Sequence, residues 1–416
     1  MKTSVSTKSQ GKTLRISKKD FQALLEGKTR PTTITDIVFF LFGGLGCFVL
    51  TYSIMSNIHF WHDRFGNTGY LAMVFSSNVA GIIAFLFYKR IFYDVKKKYI
   101  LLALPTVNWI INLILVLDGE YIALDSPWKM LINVVANFTF GASIFVMRYT
   151  YASIVFKRGS TEIAFFNSGM PAAGIFTVGI GILQLKYIDP SDIFSIAILN
   201  IGFQLPCLGW IFMITLLFFR QEENFKEVKK QSIALHLLPP SVPKSAPTLL
   251  ETLKLIYPMM YSTLFAWAIS LMILPNMIWA MGHGWENQKI LACLIVLLVY
   301  ILFDFAGRIS YVRFVLRSTM ACHYISLIRV IFIAIPLYAY ASDSNAWLRD
   351  KWWLTMAYAA VHGFISGYIS SSQMHIISTR VAKRHKDNAA YLATLATLCG
   401  QLYGSICNLL ALKLEL

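Results

Sequence analysis

Asp304 and Arg308 stand four residues apart inside an apolar run, 289–312, whose length suits a membrane-crossing helix. At that separation the two side chains share one helix face and can pair as carboxylate and guanidinium. Together they offer a polar solute an acceptor and a fork of N–H donors, while offsetting the cost of placing either charge in hydrocarbon. Two further arginines lie within apolar runs, Arg148 in 130–156 and Arg329 in 319–340. Ionisable groups inside a span mark a solute pathway by default. The competing role is a structural lock, in which Arg329 ties its span to the Asp304–Arg308 pair; the two roles can coexist. Arg148 lies within two turns of the inner surface and can carry its charge there on its long stem.

Other reactive side chains give no comparable constellation. Cys47, Cys207, Cys293, Cys322, Cys399 and Cys407 all fall within apolar runs and lack CxxC spacing, so no disulfide framework or zinc site is expected. His59, His62 and Asp63 cluster just beyond the first run. A metal site there competes with an interfacial loop anchored by Trp61, and the loop is favoured. His362 and His375 share a run and read as hydrogen-bonded core residues rather than ligands or proton relays. The sequon Asn137-Phe138-Thr139 lies within a run and is expected to be inaccessible to glycosylation. No cofactor, metal or enzymatic activity is expected from these residues.

The elements that carry them are set by composition. Of 416 residues, 56% are hydrophobic and 14% charged, with a mean hydropathy of +0.59. Soluble domains carry about 25% charged residues, so an ordinary soluble enzyme is excluded, as are a disordered chain and a cysteine-dense secreted scaffold. The composition is that of an all-α polytopic membrane protein. Eleven spans are expected, at 36–58, 70–88, 99–117, 130–156, 162–185, 193–219, 255–281, 289–312, 319–340, 352–378 and 389–412. The first is too long and too far from Met1 for a cleaved signal, and reads as retained.

The net charge of +16 tests two partners, nucleic acid and membrane. Of 37 Lys and Arg residues, 26 fall on one side of the expected membrane and 7 on the other. That bias disposes of nucleic acid and places the N-terminus in the cytoplasm and the C-terminus outside. The plasma membrane is the default location and an internal membrane the alternative. Four domains follow: a basic cytoplasmic tail, 1–35; a six-helix bundle, 36–219; a linker, 220–250, extended by Pro239, Pro240, Pro243 and Pro247; and a five-helix bundle, 251–416. In the tail, Ser17-Lys18-Lys19-Asp20 resembles a helix capping box, with an unstructured tail the alternative. Gly363 with Gly367, Gly400 with Gly404, and Gly169, Gly174, Gly179 and Gly181 mark close helix packing. Pro275 and Pro336 interrupt their spans.

At the eighth span the sequence becomes specific. Phe303-Asp304-Phe305-Ala306-Gly307-Arg308 resembles the FDxxGR signature of equilibrative nucleoside transporters. Gly44-Leu45-Gly46, Ser168-Gly169 with Ala173-Gly174, Arg329-Val330-Ile331-Phe332 and Ser366-Gly367-Tyr368 resemble further family segments in the same order. The resemblance covers most of the chain and implies a major-facilitator-like fold of six plus five helices around a central cavity. It implies facilitative passage of nucleosides or nucleobases by alternating access, in a monomer. Asp304 and Arg308 would face the solute, Met55 would supply an apolar contact, and Gly307, Gly174 and Arg329 would serve structure or gating.

Three positions depart from the family's pattern. Leu50-Thr51-Tyr52 replaces its PWN, removing an aromatic wall that Trp267 or Tyr261 would have to supply. Ile301 stands where the family often has a polar residue, and Arg148 brings a cation to a neutral polar position that would contact solute. These changes keep open a second carrier function, for another polar or anionic metabolite with or without proton coupling. A non-transporting membrane enzyme or scaffold is the third reading.

Overall fold

The structure is a computed structural model that describes residues 4–9, 12–17, 31–56, 75–88, 90–92, 95–121, 127–188, 192–234, 247–282, 289–341 and 352–413. The described part is helical apart from one hairpin in the tail. In it β1 (Ser4–Ser9) pairs antiparallel with β2 (Lys12–Ser17), Ser4 opposite Ser17. The tail is therefore neither wholly unstructured nor helical at its start, and the capping-box segment beyond Ser17 lies outside the described residues.

The helices follow the expected spans in order. They are α1 (Ile34–Ser56), α2 (Phe75–Tyr88), α3 (Lys97–Tyr121), α4 (Pro127–Val155) and α5 (Ser160–Tyr187). The sixth span is built from two helices, α6 (Ile193–Gly202) and α7 (Gln204–Ala234). The C-terminal half contains α8 (Leu249–Gly282), α9 (Lys289–Arg313), α10 (Thr319–Ala341), α11 (Trp352–Arg380) and α12 (Lys386–Lys413). Among the described residues, segments 97–117, 160–184, 197–227 and 294–313 are long and apolar enough to cross a membrane by themselves.

Local chemistry explains where these helices begin and break. Thr33 and Asp36 cap α1 reciprocally: the Thr33 N–H donates to Asp36 Oδ2 at 2.7 Å and the Asp36 N–H to Thr33 Oγ1 at 3.3 Å. Thr248 and Glu251 do the same for α8, at 3.0 and 3.2 Å. The sixth span breaks at Phe203 because Pro206 has no N–H to give the Gly202 carbonyl. Helix α7 continues to Ala234, so the first half of the expected extended linker is helical. Its Gln, Glu and Lys residues are good helix formers, whereas the prolines begin only at Pro239.

Inside the bundle, hydroxyls return to their own helix. Thr150 donates to the Val146 carbonyl at 2.7 Å, Thr263 to Met259 at 2.8 Å and Thr394 to Ala390 at 2.9 Å. An apolar medium leaves no water for these groups, so the carbonyl one turn back is their nearest partner. Glycine sets the helix spacing. A side chain at Gly307 would overlap the Phe364 carbonyl, one at Gly363 the Tyr300 carbonyl and one at Gly367 the Asp304 carbonyl, so α9 and α11 meet backbone to backbone. Helices α1 and α5 meet the same way through Gly44 and Gly169.

The two halves join along two seams. Helix α5 lies against α9, with Gly174 packed on Ile301 and Tyr52. On the other side Asn78 of α2 donates to Ser405 of α12 at 3.1 Å. The second seam ends at the cation-rich side of the bundle. There Phe85 stacks on Tyr391 with centroids 4.1 Å apart, Lys157 reaches Asp387 at 2.5 Å, and Lys97 lies 3.8 Å from the same carboxylate. Within the first half, Arg158 pairs with Glu222 and lies 3.9 Å from the buried Asp36. Exposed large residues such as Leu216, Leu217, Tyr257 and Ile331 make the outer surface apolar, as a lipid-facing surface requires.

Candidate functional site

Tyr300, Asp304 and Arg308 recur every fourth residue on α9 and lie on one of its faces, all buried. Arg308 donates from Nε to Asp304 Oδ2 at 2.9 Å. Its Nη1 crosses to the other half of the molecule, donating to the Asn167 carbonyl at 3.1 Å and lying 3.7 Å from the Met170 sulfur. That carbonyl is free for a reason readable in the chain: the residue four positions on is Pro171, inside α5, which has no N–H to return. The Asp304 carboxylate keeps a second oxygen, Oδ1, buried with no hydrogen-bond partner. A buried acceptor left unpaired is costly, which makes it a ready partner for an incoming hydroxyl or amine.

Arg329 lies beside this pair without bonding it. Its Nη1 donates to the Ala266 carbonyl at 3.3 Å and its Nη2 to Ser270 Oγ at 2.5 Å, both on α8, with His362 Nε2 of α11 at 3.4 Å. Facing a guanidinium, that nitrogen serves as acceptor, which places the ring proton on Nδ1. Ser366 completes the network, accepting from the Tyr300 hydroxyl at 3.2 Å and lying 3.3 Å from Ser270 Oγ. Arg329 therefore fastens α8, α10 and α11 behind the ion pair, rather than locking onto Asp304. His362 is a hydrogen-bonded core residue, and the Tyr358 ring stacks parallel to it at 6.2 Å.

Arg148 is buried, 4% exposed, and does not reach the inner surface as its position on the span allowed. Its guanidinium lies 5.5 Å from the Phe48 ring centroid of α1 and 4.9 Å from that of Trp267, on α8 in the opposite half. Trp267 thus stands where the two halves meet, within reach of Arg148. Tyr261 is not: it is 59% exposed, with its ring parallel to Phe265 on the outer face. Met55 sits in the last turn of α1, where side chains lie outside the described residues. Gly307 lies on the α9–α11 contact and Gly174 on the seam between halves. Asn137 is buried within α4.

His59, Trp61, His62 and Asp63 lie outside the described residues; among those described, no cluster of His, Cys, Asp and Glu could hold a metal ion. The residues that sequence reasoning passed over are Phe48, Asn167, Ser270 and Tyr300, and it took Ser366 only as part of a motif. The Asn167–Pro171 spacing was a legible signal for one of them. The others acquire meaning only through neighbours on distant helices.

Residues 219–411 match the family model described as Nucleoside transporter. A solved structure of a major facilitator superfamily proton:xylose symporter bound to 6-bromo-6-deoxy-D-glucose superposes with a TM-score of 0.62 at 10% identity, covering 91% of this chain and 88% of that one. No curated protein matches the chain by sequence. The second half therefore matches the nucleoside transporter family's sequence model, while the whole chain has a fold similar to that of the facilitator.

Proposed function

We propose that the protein carries nucleosides or nucleobases down their gradient by alternating access of its two halves, 36–219 and 251–416. The observation that supports this most directly is the buried Asp304–Arg308 pair. It lies within the segment that matches the family, it reaches across to the other half through Asn167, and it keeps one carboxylate oxygen unengaged. A ribose hydroxyl or a base N–H is the kind of donor that oxygen can accept. Arg308 then serves two ends: it neutralises the carboxylate and reports its state to α5. A solute that donates to Oδ1 shares the carboxylate with Arg308, and so acts on the guanidinium that links the halves through Asn167.

The lysine-rich side of the bundle is the cytoplasmic side in this reading, with the C-terminus extracellular or lumenal. Loops bearing Lys96, Lys97, Lys157 and Arg158 stay on the side where anionic lipid and the insertion machinery hold cations. The protein works as a monomer in the bilayer, by default the plasma membrane, with the described bundle complete within one chain. The test is uptake of labelled adenosine, uridine and hypoxanthine into liposomes containing the purified protein. Saturable uptake that runs down the gradient without added energy is expected. Absence of uptake across a broad panel of nucleosides and bases would sink the proposal.

A further inference from the structure

Among the described residues, the membrane interior holds three buried arginines, Arg148, Arg308 and Arg329, against one buried carboxylate, Asp304. The other buried acids, Asp36 and Glu162, belong to the cytoplasmic end, where they meet Arg158 and Thr32. Asp304 is taken by Arg308, and Arg329 has two oxygens and a histidine nitrogen. Arg148 has neither. Its contacts are the ring faces of Phe48 and Trp267, and its Nη1 is buried with no hydrogen-bond partner. The titratable groups that act on it are the Cys47 thiol and the like-charged Arg308, neither of which supplies a counter-charge.

Ring faces attract a cation but accept no in-plane N–H bond, so they replace only part of the lost hydration. A buried charge without a hydrogen-bonded counter-ion is otherwise expensive and not kept without compensation. The position adds the second half of the argument: Arg148 belongs to the first half of the molecule and Trp267 to the second, so the guanidinium lies where the two halves meet. An anion that enters there would meet a planar fork of donors flanked by two aromatic rings, the geometry that binds carboxylate or phosphate oxygens beside a flat ring.

From this we infer that the transported solute is an organic anion: a base-like or nucleoside-like ring carrying a carboxylate or phosphate that pairs with Arg148. The inference rests on the transport function proposed above and names the charge of its cargo. Bound cargo would then supply the counter-charge that the protein itself lacks, leaving Asp304 to accept a neutral donor from the ring.

The test uses matched pairs that differ only in the anionic group: uracil against orotate, and uridine against uridine 5′-monophosphate. Liposomes containing the full-length protein are expected to take up at least one anionic member with about a tenfold or greater preference over its neutral partner, the discrimination a charged hydrogen bond supplies. In Arg148→Gln the ratio should fall towards one, whatever the change in absolute uptake, and Arg148→Lys should retain part of it. A wild-type ratio near one in both pairs overturns the inference while leaving nucleoside transport standing. A preference unchanged in Arg148→Gln also overturns it. Wild-type protein that moves none of the four compounds overturns the inference, and the transport proposal falls with it only if adenosine and hypoxanthine are not taken up either. Should Arg148→Gln fail to fold, the wild-type ratio and Arg148→Lys still decide.

Discussion

Arg308 divides its guanidinium between two helices in opposite halves, holding Asp304 through Nε and the Asn167 carbonyl through Nη1. A lysine has one nitrogen and cannot reach both groups in that way, so the site uses the fork rather than the charge alone. Removing one member of such a buried pair strands the other, at about 3–5 kcal/mol, whereas removing both costs less. Asp304→Asn and Arg308→Gln should therefore each lower the unfolding free energy by more than the double variant does. A double-mutant cycle in detergent measures that coupling, and additive losses would remove the pair from the account. Each single variant should also abolish uptake. The same residues show what is readable at this scale. The four-residue spacing of Asp304 and Arg308 is enough to pair them, because a helix fixes which side chains share a face. Arg329 has no such local rule, and its partners on α8 and α11 are separated from it by 33 to 63 residues.

Helices in this molecule approach as closely as their glycines and prolines allow. Gly367 lies against the Asp304 carbonyl, so Gly367→Ala must part α9 from α11 or strain them, at about 1–3 kcal/mol. A Cβ at Gly179, on α5, would meet no atom of a neighbouring element within 4 Å, and Gly179→Ala should leave thermal stability unchanged or slightly raised. Thermal unfolding of the two variants side by side checks the contrast; equal losses would mean that helix propensity rather than spacing governs. Pro171 poses the converse case. Pro171→Ala restores an N–H that competes with Arg308 for the Asn167 carbonyl, so α5 should become more stable while uptake falls up to about tenfold, the worth of one charged hydrogen bond. Unchanged uptake would show that the carbonyl plays no part in the cycle. At this scale the spans were legible because twenty apolar residues can do little else in a membrane. The break at Phe203 and the helical continuation to Ala234 were not, since they depend on Pro206 and on helix formers beyond the apolar run.

Across the whole molecule, alternating access requires that contacts between halves break at one end while others form. At the lysine-rich end the second seam closes through Phe85–Tyr391 and through Asp387, which is shared by Lys157 and Lys97. Lys157 and Asp387 are partly exposed, at 40% and 48% of their side chains, so each ion pair is worth about 0.2–1 kcal/mol. Asp387→Asn removes both pairs and leaves two lysines facing each other. It should shift the population towards the state open at this end, by up to about fivefold per pair lost. Distances between spin labels on α4 and α12 would register the change, which should shrink at high salt. No shift at low salt would mean that the aromatic stack alone holds this seam. The loop charges group these lysines with one another, but not with the single aspartate that gathers two of them.

By itself the sequence determined the membrane class, the eleven spans, the uneven distribution of cations among the loops and the Asp304–Arg308 pair. Those follow from hydrophobic length, loop charge and helical periodicity, all of which act between near neighbours along the chain. The tertiary structure decided which faces of those helices turn inward. Hydropathy cannot do so, because in lipid a helix is apolar on every side. Arg148 shows the difference most clearly: its sequence position allowed a cation reaching the inner surface, and only the approach of Phe48 and Trp267 from helices α1 and α8 made it a buried charge where the two halves meet.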